Sequence, residues 1–288
     1  MLSPYITKYK GIKDIEKNIE FYFNKFKEDS VLCFRDANVD KAEQLKIFNI
    51  FGDFFGWIPN KKSFLDKDIA EAFDKVGYSQ DNHARYWTEE NLKHQDTGII
   101  AWHNEHFWRT SRTVASIWNM KIFTCSEEKG KTWFVDTKVV WDMLNQKDQE
   151  FLKKCTSFAY DLGNKYVTTP VTRHWKFGYE MLQFDFAIGD GKEYIDTFNN
   201  RKPTFEEINN FNRILLFAKY QVKNNLDIRI VHKWKQGDIL IPDLFKLAHT
   251  VTGGFRPEER YFECIWGFQP ERFNNYSQDH GIINHYEK

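Results

Sequence analysis

Short runs of apolar, β-branched and aromatic residues, separated by polar or turn-forming residues, dominate the chain from residue 98 onward. They cover residues 98–107, 113–123, 132–137, 165–175, 179–188, 228–243 and 260–269. Runs of this length and composition are typical of β-strands. Segments with apolar residues at helical spacing interrupt these strand-like runs at about residues 137–155 and 204–224. The pattern predicts a mainly β fold with helical decoration, either an antiparallel barrel or a double-sheet sandwich.

The first third of the chain adds helices and a long loop region to this pattern. Apolar residues at helical spacing predict an amphipathic helix over 11–29, and an acidic cap followed by a closing glycine predicts a second helix over 40–56. The apolar run between them predicts a strand. Residues 60–97 are polar with few periodic signals, which favours a long loop with short helical pieces. Because no low-complexity linker or internal repeat interrupts the chain, we expect a single domain over residues 1–288.

Charge and cysteine content restrict the partners and the compartment. The 288 residues include 41 basic and 41 acidic side chains, which are mixed along the chain. This balance lacks the basic footprint expected for binding to nucleic acid or an anionic membrane. No apolar run approaches the roughly 20 residues that a membrane helix needs. The four cysteines form no CxxC pair and we see no secretory leader, so we expect a reduced, cytoplasmic protein that acts on a small molecule.

A histidine and a glutamate separated by one residue stand out in the aromatic stretch at 98–108. On a strand, His103 and Glu105 would point to the same face, because side chains alternate. One metal ion could then bind both, and a second histidine would complete the two-histidine, one-carboxylate group of non-haem Fe(II) oxygenases. Nine histidines make a chance HxE pair common. On spacing alone, a solvent-facing polar pair therefore remains the alternative interpretation.

Segments in a fixed order along the chain resemble the taurine/2-oxoglutarate dioxygenase family, which includes herbicide-degrading and clavaminate-synthase-like enzymes. They are VLCFRDANVDKAEQLKIFNIFGDFFG, WHNEHFW, EEKGKTWFVDTKVVWDML, TPVTRHWKFGYEML and WKQGDILIPDLFKLAH. They are similar to the family's opening strand and helix, its WHxD segment, its GG-x-T-x-F-x-D segment, its middle PxVRxHP element, and its W-x-x-GD-x-x-x-x-D segment that ends in a distal histidine. The resemblance covers most of the chain.

This resemblance implies a double-stranded β-helix, in which two antiparallel sheets pack together with the metal at one end. It implies that His103, Glu105 and His249 bind Fe(II) and that 2-oxoglutarate and O2 are cosubstrates. In such enzymes 2-oxoglutarate is decarboxylated to succinate and CO2 while an unactivated C–H bond is usually hydroxylated. Members of the family often form dimers or tetramers, so a homo-oligomer is an open expectation.

The family's clamp for the distal carboxylate of 2-oxoglutarate is an arginine after the distal histidine, helped by a threonine. A guanidinium suits this task because it is always charged and binds a carboxylate through two hydrogen bonds. Arg260, eleven residues after His249, and Thr132 match these positions. Arg256 is the rival, but it precedes a proline in a turn-like segment, so we expect Arg260 to be the clamp.

The chain departs from the family pattern at three places. The carboxylate is Glu105, where most members have aspartate and clavaminate-synthase-like members have glutamate. Cys264 stands four residues after the clamp, where taurine-type enzymes have a second arginine for an anionic substrate, so taurine is disfavoured. Lys129 and Gly130 replace the usual glycine pair before Thr132, which predicts a different turn.

Candidate substrate contacts follow from the motif positions. They are Asn104, Phe107, Trp108 and Arg173. Strand alternation would place Phe107 on the iron face, although aromatic residues beside a metal-bearing strand are more often core. The loop at about 78–97 lies where relatives place a lid over the substrate.

For other polar residues near these motifs, a structural role is the favoured interpretation. Arg109 and Arg112 could hold an acidic substrate, but a surface carboxylate is the preferred partner. His174 and His232 are interpreted as ordinary strand histidines.

The leading interpretation is an Fe(II)- and 2-oxoglutarate-dependent dioxygenase that hydroxylates a small molecule, such as an amino acid or a derivative. A second interpretation keeps the iron centre but ends in desaturation, cyclisation or cleavage of a carbon–heteroatom bond. A third is a non-catalytic binding module of the same fold, which the presence of all three ligands and both clamp residues disfavours.

Overall fold

Strands outnumber helices in this protein, for which we analysed a computed structural model that describes residues 2–59, 78–81, 88–105, 107, 112–161, 164–184, 186 and 195–269. Within these residues the strands are β1 (Tyr5–Lys8), β2 (Val31–Arg35), β3 (Ile58–Pro59), β4 (Tyr78–Asp81), β5 (His103–Asn104), β6 (Thr113–Phe123), β7 (Thr132–Asp136), β8 (Cys155–Asp161), β9 (Asn164–Thr168), β10 (Val171–Arg173), β11 (Glu180–Leu182), β12 (Ile195–Phe198), β13 (Arg229–His232), β14 (Ile239–Pro242), β15 (Leu247–Val251) and β16 (Arg260–Phe268).

Helices flank these strands. They are α1 (Ile12–Lys17), α2 (Ile19–Asp29), α3 (Lys41–Phe55), α4 (Thr137–Asp142), α5 (Gln146–Leu152) and α6 (Phe205–Asn224), with short 3-10 turns at Asn91–Lys93 and Pro257–Glu259. The Asp40 side chain caps α3 by accepting from the Glu43 amide, and Gly56 ends the helix at φ 86°. None of the helices in the described ranges has the length and apolarity that crossing a membrane requires.

Two sheets form the centre of the fold. In the described residues the larger has strand order β1-β2-β14-β6-β16-β3, with β4 also on β16, and the smaller has order β13-β7-β15-β5. All of their pairings are antiparallel except the parallel β1–β2 pair. Two further sheets, β12-β8-β9 and β10-β11, complete the described strands. The predicted mainly β, jelly-roll class is thereby confirmed.

The space between the two central sheets is filled by side chains from both. Cys33 and Leu240 come from the larger sheet, and Phe134 and Leu247 come from the smaller one. Because side chains alternate along a strand, their neighbours face outward. Phe34 and Ile239 accordingly pack in a separate cluster with residues of α1, α2 and α3.

The outer face of the smaller sheet is covered by α4, α5 and α6. Val135 and Ala248 of that sheet share a buried cluster with Trp141 of α4, Leu152 of α5 and Phe211 of α6. Each central sheet is thus covered on its outer face by helices, so inner strands such as β2, β14 and β15 are buried on both faces and form nearly continuous apolar runs.

Several helices and strands differ in extent between the sequence-based prediction and the structure. The helix predicted over 11–29 breaks at Asn18 into α1 and α2, and the helical segment at 137–155 is split into α4 and α5. Among its described residues, the run at 98–107 forms a strand at His103–Asn104 alone. The runs at 165–175 and 228–243 each form two strands, and the described part of 179–188 forms one at Glu180–Leu182. β6, β16 and α6 lie within a residue or two of their predicted bounds.

The loop region predicted over 60–97 is described only in part. Residues 60–77 and 82–87 lie outside the described residues. Tyr78–Asp81 is strand β4, paired in antiparallel register with Phe262–Ile265 of β16. The loop prediction is therefore wrong for these four residues, because they form hydrogen bonds in the larger sheet. The lid at about 78–97 stays a prediction.

Gly267 offers a test of the packing on the outer face of the larger sheet. A Cβ at Gly267 would lie 2.8 Å from Trp57 Cγ and 2.9 Å from Trp57 Cδ1. Trp57 is 4% exposed and cannot move aside without repacking. Gly267→Ala should lower the free energy of unfolding by about 1–3 kcal/mol, measured by urea denaturation. The double variant with Trp57→Leu should lose less than the sum of the two single changes, whereas additive losses would contradict this contact.

Candidate metal centre

Two histidines meet across the pair of strands β5 and β15. His103 lies directly opposite His249 in the antiparallel register, so both side chains leave the sheet on the same face. Their ring centroids are 4.2 Å apart. This single pairing brings together two residues that are 146 positions apart in the chain.

Glu105 brings a carboxylate to the same point. Strand β5 ends at Asn104, and Glu105 lies in the turn that follows. The prediction that both motif residues lie on a strand is therefore wrong for Glu105. Its Oε2 atom nonetheless lies 3.8 Å from His103 Nε2 and 3.7 Å from His249 Nε2. One ligand atom from each of the three residues lies within 4.8 Å of the other two, close enough to bind one metal ion.

The donor atoms fit a divalent metal. His103 Nδ1 lies 2.8 Å from the Ala101 carbonyl oxygen, and because a carbonyl only accepts, Nδ1 carries the hydrogen. Nε2, which lies 3.8 Å from Glu105 Oε2, is then left with a lone pair for a metal. A backbone carbonyl is a usual outer partner of a metal-binding histidine. Two imidazoles and one carboxylate leave coordination positions open, which suits Fe(II) in oxygenases.

Aromatic side chains enclose this group on the interior side. The His249 ring lies 5.7 Å from the Trp118 ring and 5.9 Å from the Phe134 ring, centroid to centroid. Trp118 and Phe134 are not among the residues that the sequence predicts for the site. Their apolar strand positions predict only burial, and their proximity to His249 depends on how the two sheets pack.

Arg260 and Arg256 have very different surroundings. Arg260 begins β16 and is 1% exposed. Its guanidinium carbon lies 5.0 Å from the Phe262 ring centroid and 5.7 Å from that of Trp234. Arg256 is exposed and begins a 3-10 turn, in which its amide donates to Glu259 Oε2 at 2.7 Å. The buried arginine has the surroundings expected of the clamp.

Thr132 lies on the same interior wall. It begins β7, is 2% exposed, and its Oγ1 accepts a hydrogen bond from Trp234 Nε1 at 2.8 Å. The preceding turn brings Gly130, at φ 57°, so close that a Cβ there would lie 3.3 Å from Arg260 Cδ. Trp234 therefore contacts both Thr132 and Arg260. The sequence does not predict this double contact, because it shows Trp234 as part of a motif but not which residues lie beside it.

The predicted substrate residues are scattered. Asn104 pairs with Ala248, on the face of the strands that is opposite to His103 and His249. Arg173 has a side chain 56% exposed and lies 3.9 Å from Glu180 across the β10–β11 pair. Phe107 is 5% exposed in a turn, so the strand alternation used to orient it does not apply. Trp108 lies outside the described residues.

A second group with potential metal ligands lies deeper in the interior. It consists of Cys33, His232 and Asp238, all buried. Burial and the charge of Asp238 raise the pKa of the Cys33 thiol well above its usual range, and burial lowers the pKa of His232. Asp238 Oδ2 already accepts from Arg35 at 2.7 Å and from the Lys235 amide at 2.9 Å. A carboxylate that is already paired with a guanidinium is a poor metal donor, so we interpret this group as a buried polar cluster.

The fold and this group of two histidines and a carboxylate define a class: β-sandwich enzymes built to bind a metal with open coordination positions. A family model, "Taurine catabolism dioxygenase TauD, TfdA family", matches residues 16–266. The chain therefore belongs to the TauD, TfdA family, and it is a 2-oxoglutarate-dependent dioxygenase, an oxidoreductase that uses Fe(II), 2-oxoglutarate and O2.

Solved structures share this fold at low sequence identity. A taurine dioxygenase from Burkholderia xenovorans is similar with a TM-score of 0.63 and 12% identity, covering 93% of this chain and 89% of that one. AAD-2 in complex with Mn(II) and N-oxalylglycine is similar with a TM-score of 0.59 and 13% identity over 94% and 97% of the two chains. PvcB, an Fe, alpha-ketoglutarate dependent oxygenase from an isonitrile synthetic pathway, is similar with a TM-score of 0.57 and 13% identity over 87% and 84%. Among the curated proteins, none matches.

Metal analysis distinguishes the group that contains His103 from the group that contains Cys33 as the iron site. Anaerobic reconstitution with Fe(II) should load one ion per chain, and His103→Ala should weaken its retention by more than about 100-fold, because loss of even an outer partner weakens metal affinity about 10- to 100-fold. Cys33→Ala should leave iron retention unchanged. Iron loss in Cys33→Ala, with His103→Ala still loaded, would reverse the assignment of the two groups.

Proposed function

We propose that His103, Glu105 and His249 bind the Fe(II) of this dioxygenase, and that Thr132 and Arg260 bind the distal carboxylate of 2-oxoglutarate. The observation that carries the proposal is the convergence of three ligand atoms from β5, the following turn and β15 within 4.8 Å. The match of residues 16–266 to the family supports it. We further propose that the single domain spans residues 1–288.

The residues of the triad have distinct tasks in this proposal. His103 is fixed by its Nδ1–H bond to the Ala101 carbonyl and presents Nε2 to the metal. Glu105 offsets part of the metal's positive charge. Because Glu105 lies in a turn, its side chain, which is longer than that of aspartate, is not restricted to one face of a strand. Bound Fe(II), together with O2 and 2-oxoglutarate, supplies the oxidising power needed to attack an unactivated C–H bond.

The clamp depends on a dry, aromatic environment. Phe262, Phe255 and Trp234 surround the Arg260 guanidinium at 5.0, 5.5 and 5.7 Å, which excludes water and strengthens its attraction for a carboxylate. Trp234 Nε1–H occupies a lone pair of Thr132 Oγ1. The Thr132 hydroxyl can therefore donate its own hydrogen to the same carboxylate.

We infer that the substrate is a small molecule and that the outcome is hydroxylation of an unactivated C–H bond. Glu105 supports an amino acid or a derivative, because the relatives that the sequence resembles at this position act on such compounds. Cys264 lies opposite Trp118 in the β6–β16 register, level with His249. A thiol at that place disfavours an anionic group held beside the metal.

The triad assignment is tested by turnover. In the absence of substrate, the wild-type enzyme with Fe(II) and O2 should slowly convert 2-oxoglutarate to succinate. His249→Ala should lose this conversion and the weak visible charge-transfer band of the anaerobic Fe(II)–2-oxoglutarate complex, because one of three metal ligands is gone. Retention of both in a folded His249→Ala protein would refute the triad.

The clamp assignment is tested by comparing the two arginines. Arg260→Met should weaken 2-oxoglutarate binding by about 2–5 kcal/mol, which is more than tenfold in affinity, because a carboxylate loses its buried charged partner. Arg256→Met is the matched control, with the same substitution at an exposed position. Titration of the charge-transfer band gives both affinities, and Arg260→Lys shows whether charge alone suffices. A larger loss in Arg256→Met would make Arg256 the clamp.

A further inference from the structure

Trp266 is the partly exposed member of a row of side chains on β16. Alternate residues of this strand face the space between the two central sheets, and Phe262 and Cys264 belong to the cluster that fills it. Trp266 packs against the same cluster. Phe262 and Cys264 are buried, whereas Trp266 is intermediate in exposure. Trp266 therefore lies where this interior row opens to solvent.

The strand orders of the two sheets show which strands face each other. Cys33 of β2 and His232 of β13 have ligand atoms within 4.8 Å of each other. The Trp118 ring of β6 lies 5.7 Å from the His249 ring of β15, and β14 and β7 are the strands between these two contacts. The next strand after β6 is β16, and the next after β15 is β5. β16 therefore faces β5, the strand that contains His103.

Along β16, Trp266 lies beyond the metal centre as seen from Arg260. Cys264 pairs with Trp118, so its position is level with His249, whose ring lies beside that of Trp118. Trp266 is two residues further from Arg260, which corresponds to about 7 Å along an extended strand. Diagonal neighbours in a sheet are within reach of aromatic side chains. The clamp and Trp266 therefore lie on opposite sides of the centre.

The exposed side of the triad points the same way. β15 ends with Val251 beside Thr132, and β5 runs antiparallel to β15. The chain therefore proceeds from His103 to Glu105 in the direction away from Thr132 and the clamp. The side chain of His249 is 9% exposed, whereas those of Glu105 and His103 are 18% and 31% exposed. The centre is thus open toward β5, which faces the row that ends in an indole.

The chemistry of this wall restricts what can bind against it. The interior faces of β6 and β16, two strands that are described in full, carry no charged side chain beyond Arg260. Ser116 lies opposite Trp266, and its hydroxyl already donates to the Ile265 carbonyl at 3.0 Å. A charged group placed here would be desolvated without a partner on this wall. An apolar or aromatic group gains by leaving water.

We propose that Trp266 binds an uncharged apolar or aromatic part of the substrate against its indole ring, and thereby determines which substrates place a C–H bond at the metal. This inference rests on the proposed function, in which the triad binds Fe(II) and 2-oxoglutarate extends toward Arg260. An aromatic ring presents a large apolar face with a preferred contact geometry. An amino acid derivative with an aromatic or branched aliphatic side chain meets this requirement.

The experiment uses small probes on the anaerobic Fe(II) enzyme saturated with 2-oxoglutarate. Phenylacetamide, cyclohexylacetamide and acetamide are the neutral probes, and phenylacetate and 2-phenylethylamine carry either charge on the same ring. The readouts are the thermal midpoint and the shift of the charge-transfer band. The variants are Trp266→Ala, Trp266→Leu and Trp266→Phe. Trp175→Ala is the matched control, because Trp175 is also partly buried but packs against the outer cluster of the larger sheet.

In the wild type and in Trp175→Ala, phenylacetamide or cyclohexylacetamide should act at a lower concentration than acetamide. Trp266→Ala should need about tenfold more of the same probe, because most of the apolar contact area is lost. Trp266→Phe retains an aromatic face and should stay closer to the wild type. Should Trp266→Ala not fold, Trp266→Leu should still need more phenylacetamide than the wild type. The affinity for 2-oxoglutarate should be unchanged, because the clamp lies on the other side of the centre.

Several results would overturn the inference. One is an equal response of the wild type, Trp266→Ala and Trp266→Leu, and another is a wild-type response to the ring probes no greater than that to acetamide. A stronger response to phenylacetate or 2-phenylethylamine than to phenylacetamide would show recognition of a charge instead. An equal loss in Trp175→Ala would show a general effect of destabilisation. Absence of the charge-transfer band in the wild type would refute the proposed function, while the thermal shifts would still report on Trp266.

Discussion

The antiparallel pairing of β5 with β15 is the contact on which the metal centre depends. β5 contains only His103 and Asn104, yet its register places His103 opposite His249. A slip of one residue would turn His103 to the other face of the sheet, where Asn104 now lies beside Ala248. β15 is held in the middle of the smaller sheet by β7, so the short strand is positioned by a well-anchored neighbour.

The interior between the sheets combines apolar packing with a few buried charges, each placed at a definite level. Arg260 lies at one end of β16 among aromatic rings, and the triad lies beside Trp118 and Phe134. A charge is costly in such surroundings, and the proposed 2-oxoglutarate carboxylate would offset that cost at Arg260. The cosubstrate and the metal would then lie side by side in the same interior.

Much of the fold followed from local patterns. β6, β16 and α6 have long, regular apolar periods that no tertiary contact overrides, so their predicted extents agree with the structure. The break at Asn18 and the short extent of β5 did not follow, because both depend on where the chain meets other elements. β4 was missed because its residues are polar and become a strand only by pairing with β16.

The class of the protein could be predicted from the amino-acid sequence alone, since motif residues such as His103, Glu105 and His249 stand in the order of a known family. It also ranked Arg260 above Arg256 from the proline that follows Arg256. Which groups meet depends on how the chain folds: Glu105 reaches the histidines from a turn, and Trp234 contacts both Thr132 and Arg260. Likewise, only packing could show that Arg112 lacks a carboxylate among the described residues. The physical reason is that chemistry is encoded in residue types, whereas proximity arises from long-range strand register and sheet packing.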